Sequence, residues 1–189
     1  MQINLSEKLA KRRVVGGLAA VVFTCFAISG GVAQTNPGAD ATSPKMPYWS
    51  QWTDRSGQTH TTRCFVSGLK SEAFSSTPQF VRRLPGAVDS VVFSVLPVGW
   101  VGNWHANPKP QWAIVLSGEY YMETSDGTSA TLKAGDVFFG GDQGASGSKA
   151  EPNKIGHLSS VRGNEPSSHI IVQLKSDPKI DRIGVACPY

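Results

Sequence analysis

The chain has 189 residues, 40% of them hydrophobic and 17% charged, with 18 Lys and Arg against 14 Asp and Glu. Four of those basic residues and one acidic residue fall in the first 33 positions, so the remaining 156 residues carry a net charge near +1 and show no electrostatic footprint for nucleic acid. That length suits one domain with a sizeable core.

Lys8, Lys11, Arg12 and Arg13 form a basic start to an apolar run from Val14 to about Ile28. Gly31-Val32-Ala33 then supplies small residues at the positions a signal peptidase reads. The order basic, apolar, small predicts an export signal over residues 1 to 33, cleaved near Ala33. The apolar run is shorter than the roughly 20 residues needed to span a bilayer, so no stable membrane anchor is expected after cleavage. The mature protein is therefore expected to be periplasmic or secreted. Residues 34 to 46 are polar, with Pro37, Gly38 and Pro44, and read as a flexible leader to a domain spanning 47 to 189.

Tyr48-Trp49-Ser50-Gln51-Trp52 is aromatic and meets a turn signature at Asp54-Arg55-Ser56-Gly57. His60 to Val66 has strand composition, with His60 expected on the strand surface. Between Phe74 and Leu84, Ser76-Thr77-Pro78 and the four-residue spacing of Phe80 and Leu84 fit either one short helix or an irregular loop. From Val88 onward the pattern is strand, turn, strand. Ser90 to Leu96 is rich in β-branched residues, a second strand is expected to enter at Asn103, and Gln111 to Ser117 and Glu119 to Thr124 follow. Asp126-Gly127 signals a hairpin returning over Thr128 to Leu132. Val137 to Phe139 follows the turn Ala134-Gly135-Asp136. Residues 140 to 156 hold five glycines and almost no apolar side chains, a connection that is either functional or disordered. Ile170 to Leu174 reads as a buried strand. Short strands at regular spacing predict an all-β sandwich or barrel. Two cysteines follow position 33, Cys64 and Cys187. They either bridge and tie down the C-terminal tail or remain two unpaired thiols, and spacing leaves both readings open.

Gly99, His105, Asn107, Gln111 and Gly118 stand at the spacing G-x5-H-x-N-x3-Q-x6-G. This resembles the first cupin motif, which has a second histidine where Asn107 stands and a glutamate where Gln111 stands. Ala134-Gly135-Asp136 resembles the start of the second cupin motif, and His157 its histidine. Here the separation between them is about twice the motif's, and the motif's proline is missing. The resemblance spans about 88 to 174 and is to small single-domain cupins. It implies an all-β fold, a cupin-type conical β-barrel (double-stranded β-helix or jelly roll) with a short helical or irregular N-terminal segment. It also implies a homodimer formed through edge strands.

The resemblance places the site inside the barrel at His105, Gln111 and His157, where family members hold one divalent ion, typically iron, manganese, nickel or zinc. In this chain two imidazoles and neutral amides replace the usual three imidazoles and a carboxylate, and the missing charge weakens divalent binding. Asp142, and less readily Glu119, are the acidic residues placed to compensate. Without a metal the same groups form a polar floor in an apolar cup, with His105 and His157 as acid/base candidates and Asn107, Gln111 and Trp100 as ligand contacts. Strand alternation sends Trp112 away from Gln111, into the core or a subunit contact, and turns Trp104 away from His105. His169 reads as structural. Two function classes follow. One is an enzyme on a small polar organic or sugar-derived molecule, of oxygenase, isomerase or lyase type, assisted by a metal or by histidine. The other is a non-catalytic binder of a small ligand without metal.

Overall fold

The computed structural model describes residues 44–177 and 179–189; the expected export signal and most of the leader lie outside the described residues. Among the described residues the regular structure is eleven β-strands and no helix. They are β1 (Met46–Thr53), β2 (Thr59–Val66), β3 (Lys70–Glu72), β4 (Gln79–Val81), β5 (Val88–Leu96), β6 (Gln111–Ser117), β7 (Glu119–Thr124), β8 (Ser129–Leu132), β9 (Val137–Gly141), β10 (His157–Arg162) and β11 (Ser167–Leu174). Six strands form one sheet in the order β2-β1-β9-β6-β11-β5, and three form a second in the order β10-β7-β8. The β1–β9 pair is parallel and every other neighbouring pair is antiparallel. The result is an all-β architecture built on two main sheets.

Period-two alternation decides what each strand buries. Along β6, Gln111, Ala113 and Val115 are buried toward the smaller sheet. Ala113 and Val115 meet Phe138, Tyr120, Met122, Ala130 and Leu132, which is the core between the sheets. The adjacent Phe138 and Phe139 are both buried because β9 is covered on both faces. Phe139 belongs to a second core on the outer face, with Tyr48, Cys64, Val66, Leu174, Ile180 and Tyr189. A Cys64–Cys187 disulfide, with Cα atoms 5.6 Å apart, ties the C-terminal tail over that face.

Asp126-Gly127 turns β7 into β8 as its composition predicts: Thr124 N–H donates to Thr128 O at 2.9 Å, and Gly127 has a φ of 84°. Two expectations need correction. The stretch from Phe74 to Leu84 contains no helix; Gln79–Val81 pairs with Lys70–Glu72, and Pro78 disfavours helical backbone at Thr77 just before it. No strand enters at Asn103 either. Pro108 and Pro110 lack ladder donors, and the segment meets β10 only through single bridges at Val101–Ser160 and His105–His157.

Candidate functional site

The polar end of the inter-sheet space is built by residues of the same parity as the core. Gln111 opens β6, Gln173 lies opposite it on β11, Gly140 flanks it on β9, and Gln51 lies opposite Gly140 on β1. From the smaller sheet His157 opens β10. His105 reaches the same place from the strandless segment, through a reciprocal backbone pair: His105 N–H to His157 O at 3.0 Å and His157 N–H to His105 O at 2.9 Å. Gly156 makes this approach possible. Its φ is 84°, and a Cβ there would lie 2.2 Å from the His105 carbonyl oxygen. The Thr59 hydroxyl donates to the Gly156 carbonyl and holds the turn from the other side.

The two imidazole rings therefore lie with centroids 4.5 Å apart. Behind His157 sits Asp142, which is fully buried; its Oδ2 is 2.7 Å from His157 Nδ1. Asp142 Oδ1 accepts from the Asn107 backbone N–H at 2.9 Å and from Asn107 Nδ2 at 2.6 Å. Burial alone would raise the Asp142 carboxyl, but the hydrogen bond and charge interaction with His157 and the Asn107 donors hold it below the usual carboxylate range. As an ionised carboxylate Asp142 can only accept, so His157 carries a proton on Nδ1, and in the neutral ring Nε2 then holds the lone pair. Asp142 is the most enclosed charge in the site.

The amides form a chain. Gln173 Nε2 donates to Gln111 Oε1 at 3.2 Å, Gln111 Nε2 donates to Asn107 Oδ1 at 2.7 Å, and Asn107 Nδ2 also donates to Gln51 Oε1 at 3.1 Å. Gln51 Nε2 ends the chain on the Met122 sulfur at 3.2 Å. Gly140 leaves room for it, since a Cβ there would lie 2.5 Å from Asn107 Nδ2.

Of these groups His105, His157, Asn107 and Gln111 face a cavity of about 160 Å³ that also touches Trp100, Phe138, Tyr120 and His169. The volume is close to that of a cavity that takes up one benzene-sized molecule. His169 is buried and its pKa is lowered by desolvation. Tyr120 is pushed up to about 12, chiefly by burial, and donates to Ser159 Oγ at 2.7 Å. A larger hollow of about 410 Å³ lies on the outer face of the six-stranded sheet, under Leu69, Phe80 and Leu84. It is apolar apart from Arg82, which donates to the Ser67 carbonyl at 2.7 Å, and it gathers no titratable group that could do chemistry.

The residues singled out in the sequence fall as follows. His105, Asn107, Gln111, His157 and Trp100 all line the one cavity. Trp112 packs in the outer core against Tyr48 and Phe139, at 5.1 and 5.0 Å between ring centroids. Trp104 lies outside the cavity lining, under the Lys154 ammonium at 5.5 Å. Glu119 pairs with Lys133 at 2.8 Å, and His60 sits between Asp54 and Asp126 at the β1–β2 turn. His169, read as structural, also faces the cavity. Gln51 and Gln173 were not singled out; a glutamine inside an apolar or aromatic strand is the signal that marks them.

The donor set fits a divalent ion poorly. Gln111 and Asn107, at the two motif positions that differ, have their side-chain oxygens engaged as acceptors within the amide chain, and both Asp142 oxygens are occupied. At the motif positions only two imidazoles remain, His105 and His157. Among the described residues no group of three or more His, Cys, Asp or Glu is placed to hold a metal.

No protein-family model matches the sequence, and no curated protein matches it. Solved structures do. A protein of Neisseria meningitidis, NMB1881, aligns over 50% of this chain and 88% of its own, with 14% identity and a TM-score of 0.32. A protein of Salmonella typhimurium LT2, provisionally named ethanolamine utilization protein Q, aligns over 71% of this chain and 99% of its own, with 17% identity and a TM-score of 0.27. Both TM-scores lie below 0.5. The fold therefore rests on the strand order and register above.

Proposed function

We propose that this chain is an exported protein that binds a small polar organic molecule inside its barrel, without a metal, and presents His157 to it as an oriented base. The observation that carries this reading is the 2.7 Å contact between His157 Nδ1 and the buried Asp142 carboxylate. A carboxylate that fixes one ring nitrogen leaves the other in the correct tautomer to accept a proton or a hydrogen bond. Gln111 and Asn107, locked in their amide chain, set the floor against which the ligand lies. His105 stands at the mouth, and Trp100 offers an aromatic wall. For a ligand with an acidic O–H or C–H the arrangement supports general-base chemistry; for any other it supports binding alone.

Export is supported by the basic, apolar and small residues of positions 8 to 33 and by a disulfide of the kind that persists in oxidising compartments. A homodimer is supported by β5, a sheet edge whose outer face leaves Val91, Phe93 and Val95 exposed at 53%, 77% and 67%. Phe93→Glu should convert that dimer to monomer in sedimentation equilibrium, and a wild-type monomer would remove the dimer reading.

The test of the pocket is a thermal-shift screen of one-ring polar compounds, followed by turnover assays on any that bind. Binding should be lost in Gln111→Leu and His157→Gln. Turnover, where present, should fall by about 10²-fold or more in Asp142→Asn, in which His157 no longer presents a bare Nε2. Ligands that bind equally well to Gln111→Leu and His157→Gln would place the site elsewhere.

A further inference from the structure

The hydrogen bonds behind the cavity wall fix not one histidine tautomer but three. His157 Nδ1 faces the Asp142 carboxylate, as described. His105 Nδ1 lies 2.7 Å from the Asn103 carbonyl oxygen, which can only accept, so its proton also sits on Nδ1 and its Nε2 is bare. His169 is turned the other way. Its Nε2 lies 3.1 Å from Ser167 Oγ, and that hydroxyl donates its own proton to the Ser117 carbonyl at 3.2 Å. With the Ser167 proton on the Ser117 carbonyl, the hydroxyl accepts from His169 Nε2–H, which leaves His169 Nδ1 bare in the neutral ring. None of the three bare nitrogens, His105 Nε2, His157 Nε2 and His169 Nδ1, has a hydrogen-bond partner among the described residues, and all three rings border the same cavity. No Lys, Arg, Asp or Glu lines it.

From this we infer that the cavity selects a small uncharged molecule rich in O–H or N–H donors, such as a ring with adjacent hydroxyls, and rejects carboxylates and phosphates. The inference rests on the proposed binding role and narrows it to a ligand class. An anion would bring its lone pairs against three imidazole lone pairs in a site without a cation, and desolvating it there is costly. A donor-rich molecule supplies the protons those nitrogens lack. His157 and His169 are buried residues while His105 is exposed, so discrimination against analogues that lack the matching donor falls chiefly on the two buried rings. The closely spaced His105 and His157 suit two adjacent donors, and His169 suits a third further into the barrel.

The experiment has two arms on the 15N-labelled protein at pH 8. Long-range 1H–15N spectra of the histidine rings, assigned with His105→Gln, His157→Gln and His169→Gln, read each tautomer without any ligand. The expected result is Nδ1–H for His105 and His157 and Nε2–H for His169; an Nε2–H form at His105 or His157 overturns the inference. The second arm titrates catechol against benzoate, near-isosteric rings carrying two donors or a carboxylate. Catechol should shift the His157 and His169 resonances at a concentration at least tenfold lower than benzoate. Benzoate binding as tight as catechol overturns the ligand class. If the tautomers are as stated but neither probe shifts the histidines, the binding role itself fails and the inference falls with it.

Discussion

Removing the Asp142 carboxylate should cost this fold about 4 kcal/mol. Three donors converge on it: His157 Nδ1–H, the Asn107 backbone N–H and Asn107 Nδ2. In Asp142→Ala the Asn107 side-chain amide still has Gln51 Oε1 at 3.1 Å, so two donors are left buried without an acceptor. At about 1–3 kcal/mol for each stranded donor, the sum is about 2–6 kcal/mol, in line with the roughly 3–5 kcal/mol typical of breaking a buried charge pair. Asp142→Asn keeps an oxygen for Asn107 and turns an NH2 toward His157. The imidazole must then move its proton to Nε2, at a cost of about 1–2 kcal/mol. Equilibrium urea unfolding with the disulfide intact measures both variants against wild type. A loss below about 1 kcal/mol for Asp142→Ala would refute the claim that this carboxylate organises the site.

Three further outcomes follow from the same geometry. Asp54 is held at about 2 because its bonds with Ser56, His60 and Gln58 outweigh the effect of burial, which acts in the opposite direction. Its pKa is depressed in the folded state, so its stabilisation is complete above the ordinary carboxylate value near 4 and disappears as pH falls toward 2. Urea midpoints between those pH values should therefore fall less steeply in Asp54→Ala than in wild type; parallel curves would contradict this. Gly140→Ala should force Asn107 aside, lowering stability by about 1–3 kcal/mol and abolishing ligand-induced thermal shifts, whereas Gly127→Ala, whose Cβ meets open space, should leave binding intact. Reducing the Cys64–Cys187 bridge, which spans 123 residues, should lower unfolding free energy by up to about 5 kcal/mol in the chain-entropy account. Coincident unfolding curves with and without reductant would exclude a structural role.

The strands between Gln111 and Leu132 were legible because each announces itself locally, by β-branched content, alternation and the Asp126-Gly127 turn. The strands β1 and β10 were not. Ser159 and Ser160 carry little strand propensity, and β10 exists because it pairs across six residues with β7. The histidines were visible through their motif spacing, but their protonation geometry was not. Asp142 is 15 residues from His157 in a glycine-rich stretch that reads as solvated loop, and only the folded register of β9 beside β1 and β6 brings it beneath the ring. His169, read as structural, is buried and packed edge-on against Tyr120, and it also borders the cavity. Its position before an apolar run suggests packing, while the parity it shares with Ile171 and Gln173 on β11 is what turns it into the cavity.

The central claim is a pocket whose chemistry comes from an aspartate-oriented histidine rather than from a bound ion. Metal content of the purified protein, expressed without a histidine tag and without chelator, tests it most directly. The account predicts first-row metal far below one equivalent, unchanged in His105→Ala and His157→Ala and not raised by added iron, manganese, nickel or zinc. Near-stoichiometric metal that disappears in both variants would contradict it.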